Sequence, residues 1–244
     1  MNHRTLYPRL AVLICASLIS CASSLLAQTE RTVRILFLNG PAEAPEKIHL
    51  HASSDPAVAG AAQEVELPRL NLSPPYVLPA GDINLSLAPQ ALAADQAAPA
   101  TSPKIKVPAT TTEFYLLIAH EPTNKAVPMR MQVIPANPDS FRKGQMLWYN
   151  LTSTRVGGQV GSQKLDMKPQ SRAILDAPAS GNEDYNVNLS YYIESRENLY
   201  PLCETKWTHD PRSRSIYFII NQPGSRAPRV MGFPDFREPE KKPE

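Results

Sequence analysis

The densest cluster of chemically capable side chains is Trp207-Thr208-His209-Asp210-Pro211-Arg212-Ser213-Arg214. Histidine, aspartate and serine together raise the question of a hydrolytic relay. Such a relay needs a base that reaches the nucleophile and an acid that orients the base. Adjacent His209 and Asp210 in a tight turn point apart, and no nucleophile-elbow pattern surrounds Ser213. Asp210-Pro211 starts a turn, with Arg212 and Arg214 as solvated hairpin charges. The segment therefore predicts a turn whose His209, Arg212 and Arg214 are candidates for contact with a ligand or partner.

Metal chemistry has one histidine pair to draw on. His49 and His51 fall at i and i+2, on one face of a strand, and could share one ion. No third ligand follows at a predictable spacing, so the pair reads as a polar strand face. Asn182-Glu183-Asp184 offers oxygens but lacks the twelve-residue calcium pattern, and reads as a hairpin loop. Gly157-Gly158 with Gly161 matches neither the dinucleotide nor the phosphate-loop spacing, and reads as a bulge or tight turn. The 23 acidic residues leave open a glycoside hydrolase whose two carboxylates come from separate strands. No metal site and no cofactor are predicted.

Aromatic residues are the remaining handle. Trp148, Tyr149, Tyr191, Tyr192 and Trp207 all lie in the second half of the chain. In a strand, Tyr191-Tyr192 sends one ring inward and one outward. Trp148, Tyr192 and Trp207 are the candidates for stacking on a sugar or anchoring a partner, against core packing as the alternative. Asn71, Asn84, Asn150 and Asn188 each precede x-Ser/Thr and read as strand and strand-edge residues.

These residues sit on short alternating apolar runs punctuated by turns, which predict strands throughout. The chain holds 25 prolines against 10 glycines. Prolines interrupt helices but are tolerated at strand ends, edges and turns. Pro89–Ala100 is alanine-rich and bounded by prolines, and predicts a flexible or marginally helical insertion spanning about 89–112.

The strand runs occur as two series. Leu36–Asn39 parallels Leu147–Asn150, Ile83–Ser86 parallels Val187–Ser190, and Phe114–Ile118 parallels Ile216–Ile220. Pro128–Met131 parallels Pro228–Met231, and Pro138–Arg142 parallels Pro234–Arg237. The order is kept while the offset shrinks, as expected of a duplication with longer loops in the first copy. The predicted organisation is a first sandwich over 28–142, a second over 143–237 and a disordered tail over 238–244. About seven strands per copy is the count of an immunoglobulin-like antiparallel sandwich, so the predicted fold is all-β, two such domains in tandem.

The first 27 residues read as a secretion signal. Arg4 and Arg9 form a positive region, and Leu10–Ser20 is an apolar stretch too short to span a bilayer. Two processing sites compete: cleavage after Ala27, or a lipobox at Leu18-Ile19-Ser20-Cys21 that would acylate Cys21. The rest of the chain carries balanced charge, which disfavours nucleic acid as a partner. Contact with a membrane would come only through an N-terminal lipid. Cys203 is the one cysteine beyond the signal, which leaves no intramolecular disulfide.

Arg34-Ile35-Leu36-Phe37, Ala44-Pro45 and Pro79-Ala80-Gly81 before Asp82–Leu87 resemble bacterial extracytoplasmic immunoglobulin-like repeat domains. Those open with an Arg-hydrophobic strand, turn at Ala-Pro and continue with Pro-x-Gly before a strand. The resemblance covers residues 31–88 and brings no functional residues with it. The expected function is a non-enzymatic envelope or secreted module, binding an envelope protein or polysaccharide or spacing other parts. The alternatives are an extracellular glycan hydrolase or a structural subunit of a surface assembly. The expected location is periplasm, cell surface or medium, or the outer membrane if Cys21 is acylated.

Overall fold

The computed structural model describes residues 30–193, 198–222 and 224–236. The signal segment, Cys21 and the tail over 238–244 lie outside them. The described chain is all-β, with sixteen strands and no helix. The strands form four four-stranded sheets in two packed pairs.

In the first half, β1 (Arg31–Leu38), β4 (Tyr76–Leu78), β7 (Glu113–His120) and β8 (Met129–Pro135) form one sheet in the order β4-β1-β7-β8. Facing it are β2 (Lys47–Ser53), β3 (Ala61–Glu66), β5 (Ile83–Ala88) and β6 (Lys104–Val107), ordered β3-β2-β5-β6. The second half has β9 (Met146–Asn150), β12 (Ser171–Leu175), β15 (Ser213–Ile220) and β16 (Arg229–Phe236), ordered β12-β9-β15-β16. Its other sheet has β10 (Arg155–Val160), β11 (Gln163–Met167), β13 (Asp184–Ile193) and β14 (Asn198–Thr208), ordered β11-β10-β13-β14. The second eight strands thus follow the same order as the first eight.

One feature of each half departs from the wholly antiparallel expectation. β1 pairs with β7 in parallel, and β9 pairs with β15 in parallel. These four strands are near-continuous apolar runs, such as Phe114-Tyr115-Leu116-Leu117-Ile118, the pattern of strands buried on both faces. One face looks into its own sandwich: Val33, Ile35 and Phe37 of β1 meet Ile48, Leu50 and Leu85 of the facing sheet. The other face looks across to the second sandwich. Leu36, Leu38, Tyr115 and Leu117 pack with Leu147, Tyr149, Ile216, Phe218 and Ile220 in one buried cluster. The two parallel-containing sheets are therefore inner layers, and the other two sheets are outer layers of a four-layer slab.

A buried polar network crosses the same junction. Asp235, fully inaccessible, accepts from the Tyr115 hydroxyl at 2.6 Å and from Arg214 Nε at 2.9 Å. Arg34 Nη1 forms an ion pair with it at 2.8 Å. Arg214 also donates to the Ala136 and Phe141 carbonyls, at 2.7 and 2.8 Å, and to Glu113 at 2.8 Å. Burial opposes the Arg214 charge, while the Tyr115 hydroxyl and the Asp235 and Glu113 carboxylates hold its pKa above the usual value. Arg214 is thus buried between the sandwiches instead of being a solvated hairpin charge.

The prolines fall where strand chemistry tolerates them. Pro135, Pro201 and Pro234 lie in β8, β14 and β16, each at the edge of its sheet, where a missing N–H breaks no ladder. The Ala/Pro-rich stretch is neither helical nor a loose insertion throughout. Its residues 104–107 are β6, paired with β5. Upstream, the Gln96 and Ala94 carbonyls accept from the Ala59 and Gly60 amides at 2.7 and 3.0 Å. This crossing segment covers His51, which is fully buried and accepts a long 3.5 Å hydrogen bond from the Leu92 amide. The His49/His51 strand face is therefore partly roofed by protein.

Gly157-Gly158 is not a turn. Both lie mid-strand in β10, in unbroken register with β11 and β13. Gly158 has φ 151°, and a Cβ there would lie 2.0 Å from the Asn188 carbonyl oxygen, so only glycine fits. The irregularity in this sheet falls between Leu189 and Ser190 of β13. Asn182 and Glu183 lie in the connection from β12 to β13, which passes between sheets, and Asp184 opens β13.

Candidate functional site

The polar cluster Trp207–Arg214 lies at one end of the second sandwich, where β14 turns into β15. Asp210 builds the turn: its carboxylate accepts from the Arg212 amide at 2.9 Å and from Arg212 Nε and Nη2 at 3.0 and 2.8 Å. The Arg212 side-chain bonds, then its amide, pull the Asp210 pKa down to about 2. The Ser213 hydroxyl donates to the Asp210 backbone carbonyl at 3.2 Å. The carboxylate thus serves Arg212 and the serine serves the turn, so the three groups do not form an acid–base–nucleophile relay.

His209 is held differently. Its amide donates to the Glu183 carbonyl at 2.9 Å, and its side chain is 6% exposed. The ring lies over Gly144, whose φ of +81° suits glycine; a Cβ there would stand 3.6 Å from ring Cε1 and Nε2. Nε2 has no hydrogen-bond partner. Burial, opposed in part by Asp210 and Glu183, holds the His209 pKa below the ordinary imidazole value.

Beside His209 is a cleft of about 280 Å³ walled by Trp207, Tyr185, Tyr217, Ser213 and Ser215. Its aromatic wall is a parallel stack. Tyr217 lies 4.4 Å from Trp148 and 4.9 Å from Trp207 between ring centroids, and Tyr185 meets Trp207 edge-on at 6.3 Å. Gly232 makes room for this stack, because a Cβ there would come within 2.6 Å of the Tyr217 ring. Burial is the main reason the Tyr217 and Tyr185 hydroxyls are held above the usual tyrosine pKa. They act here as neutral donors and acceptors.

A second concavity lies on the outer face of the sheet formed by β11, β10, β13 and β14. Its floor is the bare backbone of Gly157, and its volume is about 510 Å³. Tyr192 and the 71% exposed Leu199 form one wall. Arg155 and Asp166 form the other, joined through Nε and Oδ1 at 2.8 Å, and Ser190 adds a hydroxyl. Hydrogen bonding to Arg155 is the main reason the Asp166 pKa lies below the usual carboxylate value.

The candidate contact residues thus separate. Trp207 and His209 share the end cleft, and Tyr192 lines the face groove. Arg212 is exposed and engaged with Asp210. Trp148, fully buried at the root of the aromatic stack, and Arg214, 3% exposed between the sandwiches, are not available to a partner. Tyr185, Tyr217 and Ser215 were not singled out by the sequence, since each reads as an ordinary strand residue. Among the described residues no group of three or more His, Cys, Asp or Glu side chains is placed to hold a metal ion.

Fold and clefts together define an all-β, four-layer protein with concave sites on its second sandwich. Compared with known proteins, the chain matches no family model and no curated sequence.

Proposed function

We propose that this chain is an exported, non-enzymatic binding and spacing module of a cell envelope or secreted layer. In this reading residues 1–27 are its secretion signal. The two sandwiches are copies of one immunoglobulin-like unit whose duplication preserved the strand order. Cys21 offers a lipid attachment point if the lipobox is used.

The observation that carries the reading is the junction between the inner sheets. A shared apolar cluster and the Asp235 network fuse the sandwiches face to face. A two-lobed enzyme that closes on its substrate needs a hinge, whereas a rigid slab suits holding and presenting. The concave sites combine rings, hydroxyls and a charged fork, a mixture that fits the apolar C–H face and equatorial hydroxyls of a sugar ring. Polysaccharide is therefore the preferred partner over protein.

The test is retention of the purified chain from Gln28 on envelope polysaccharide and envelope protein fractions, scored separately. Retention on polysaccharide that is lost in Trp207→Ala or Tyr192→Ala supports the reading. Turnover of an envelope glycan, abolished by substituting a single carboxylate, would overturn it.

A further inference from the structure

At the end of the slab where β1, β7 and β15 finish, the two sandwiches part to leave a cleft of about 220 Å³. Both sandwiches line it, so it exists only because they dock. Its floor is aliphatic: Leu38, Leu117 and Ile220, each 4% exposed, belong to the cluster that joins the inner sheets. Its rim carries Asn39, His120, Arg130, Gln132 and Asn221. No lining residue is acidic.

Among the described residues, none of these five rim side chains has a hydrogen-bond partner in the protein. The neighbouring carboxylate, Glu121, accepts the Thr123 hydroxyl at 2.6 Å; it also feels the Arg130 and His120 charges at a distance but hydrogen-bonds to neither. Asn39 holds a left-handed backbone conformation (φ 54°) in the turn that ends β1, one that asparagine tolerates in turns. Arg130 is a donor at every nitrogen, and the amides of Asn39, Gln132 and Asn221 can each donate. An apolar floor under a cationic, donor-rich rim complements one kind of molecule.

We propose that this cleft binds a small carboxylate with a short aliphatic body, the carboxylate taken by Arg130 and the rim amides and the body laid over Leu38, Leu117 and Ile220. The site goes beyond the polysaccharide reading and uses none of the same residues. His120, at the end of β7, adds an imidazole donor to the rim.

The probe is octanoate, titrated into the purified chain by calorimetry and by NMR, with octanol and acetate as controls. Saturable octanoate binding is expected, with octanol and acetate each much weaker. Arg130→Gln should lower octanoate affinity by about tenfold, the usual effect of losing a charged hydrogen bond. Ala119→Phe, which fills the cleft from β7, should abolish binding. Thermal scans report whether each variant folds, and Arg130→Gln with the octanol control carries the test if Ala119→Phe does not. Absence of saturable octanoate binding, equal binding of octanol, or unchanged affinity in Arg130→Gln would each overturn the proposal.

Discussion

Asp235→Asn tests the junction on which the slab depends. The native carboxylate is fully buried and faces two guanidinium groups and a tyrosine hydroxyl. Asparagine keeps the shape but removes the charge, leaving Arg214 at 3% side-chain exposure with Glu113 as its remaining anion. Breaking a buried ion pair by removing one partner costs about 3–5 kcal/mol. Glu113 and the two carbonyls that Arg214 keeps place the expected loss at the lower end, about 3 kcal/mol. For a chain of this size that is a fall in Tm of about 6–12 °C. Urea unfolding followed by tryptophan fluorescence and by circular dichroism gives the free energy and shows whether both sandwiches melt together. Asp210→Asn is the control, since it breaks the exposed Arg212 pair and should leave the midpoint nearly unchanged. A loss below about 1 kcal/mol for Asp235→Asn, matching the control, would refute the claim that this network locks the sandwiches.

Three further outcomes follow from the same geometry. Trp148→Ala empties a fully buried site and should lose about 3–5 kcal/mol in denaturant unfolding, whereas half-buried Trp207→Ala should lose less and keep the fold. His209 is a base whose pKa burial lowers below 6.5, so the unfolded chain takes up its proton at higher pH than the folded chain. Its contribution to stability is complete above the unfolded value and falls as pH drops through it; Tm measured from pH 8 to pH 5 should decline less in His209→Gln than in the native chain. Gly158→Ala should destabilise by more than the roughly 1 kcal/mol that alanine gains where it fits, because its Cβ would strike the Asn188 carbonyl; a soluble variant with native Tm would contradict this.

Much of the strand pattern was legible in the sequence, and the residues show why. Tyr185–Tyr191 alternates and lies within β13, Asp184–Ile193, because one face meets the core and the other water. Lys104–Val107 was hidden inside a proline-bounded stretch, since four residues flanked by breakers carry little periodicity, and only pairing with Ile83–Ser86 makes them β6. The parallel pairs were not visible, because strand sense depends on partners far apart in sequence, such as Thr32 with Glu113 and Met146 with Ser215.

The candidate site was legible only where local chemistry decides it. Asp210-Pro211 makes a turn because an aspartate caps the amide two residues on, and the structure has that bond from Arg212. Arg214 stands four residues further and looked equally solvated, yet its partners Glu113, Ala136 and Asp235 come from 101, 78 and 21 residues away. Tyr115 and Arg34 likewise give no local sign that they meet Asp235.

The apolar runs nevertheless held a clue that alternation alone discards. A sheet with one wet face needs polar residues at every second position, and Ile216–Ile220 has none that is charged. Taken literally, Phe114–Ile118 and Ile216–Ile220 require cover on both faces. The economical cover is each other, since both stand at matching places in the two halves. Face-to-face docking follows from composition at that point, and it leaves function to the outer faces and ends. Those are the places where Trp207, Tyr192 and Arg130 line open clefts.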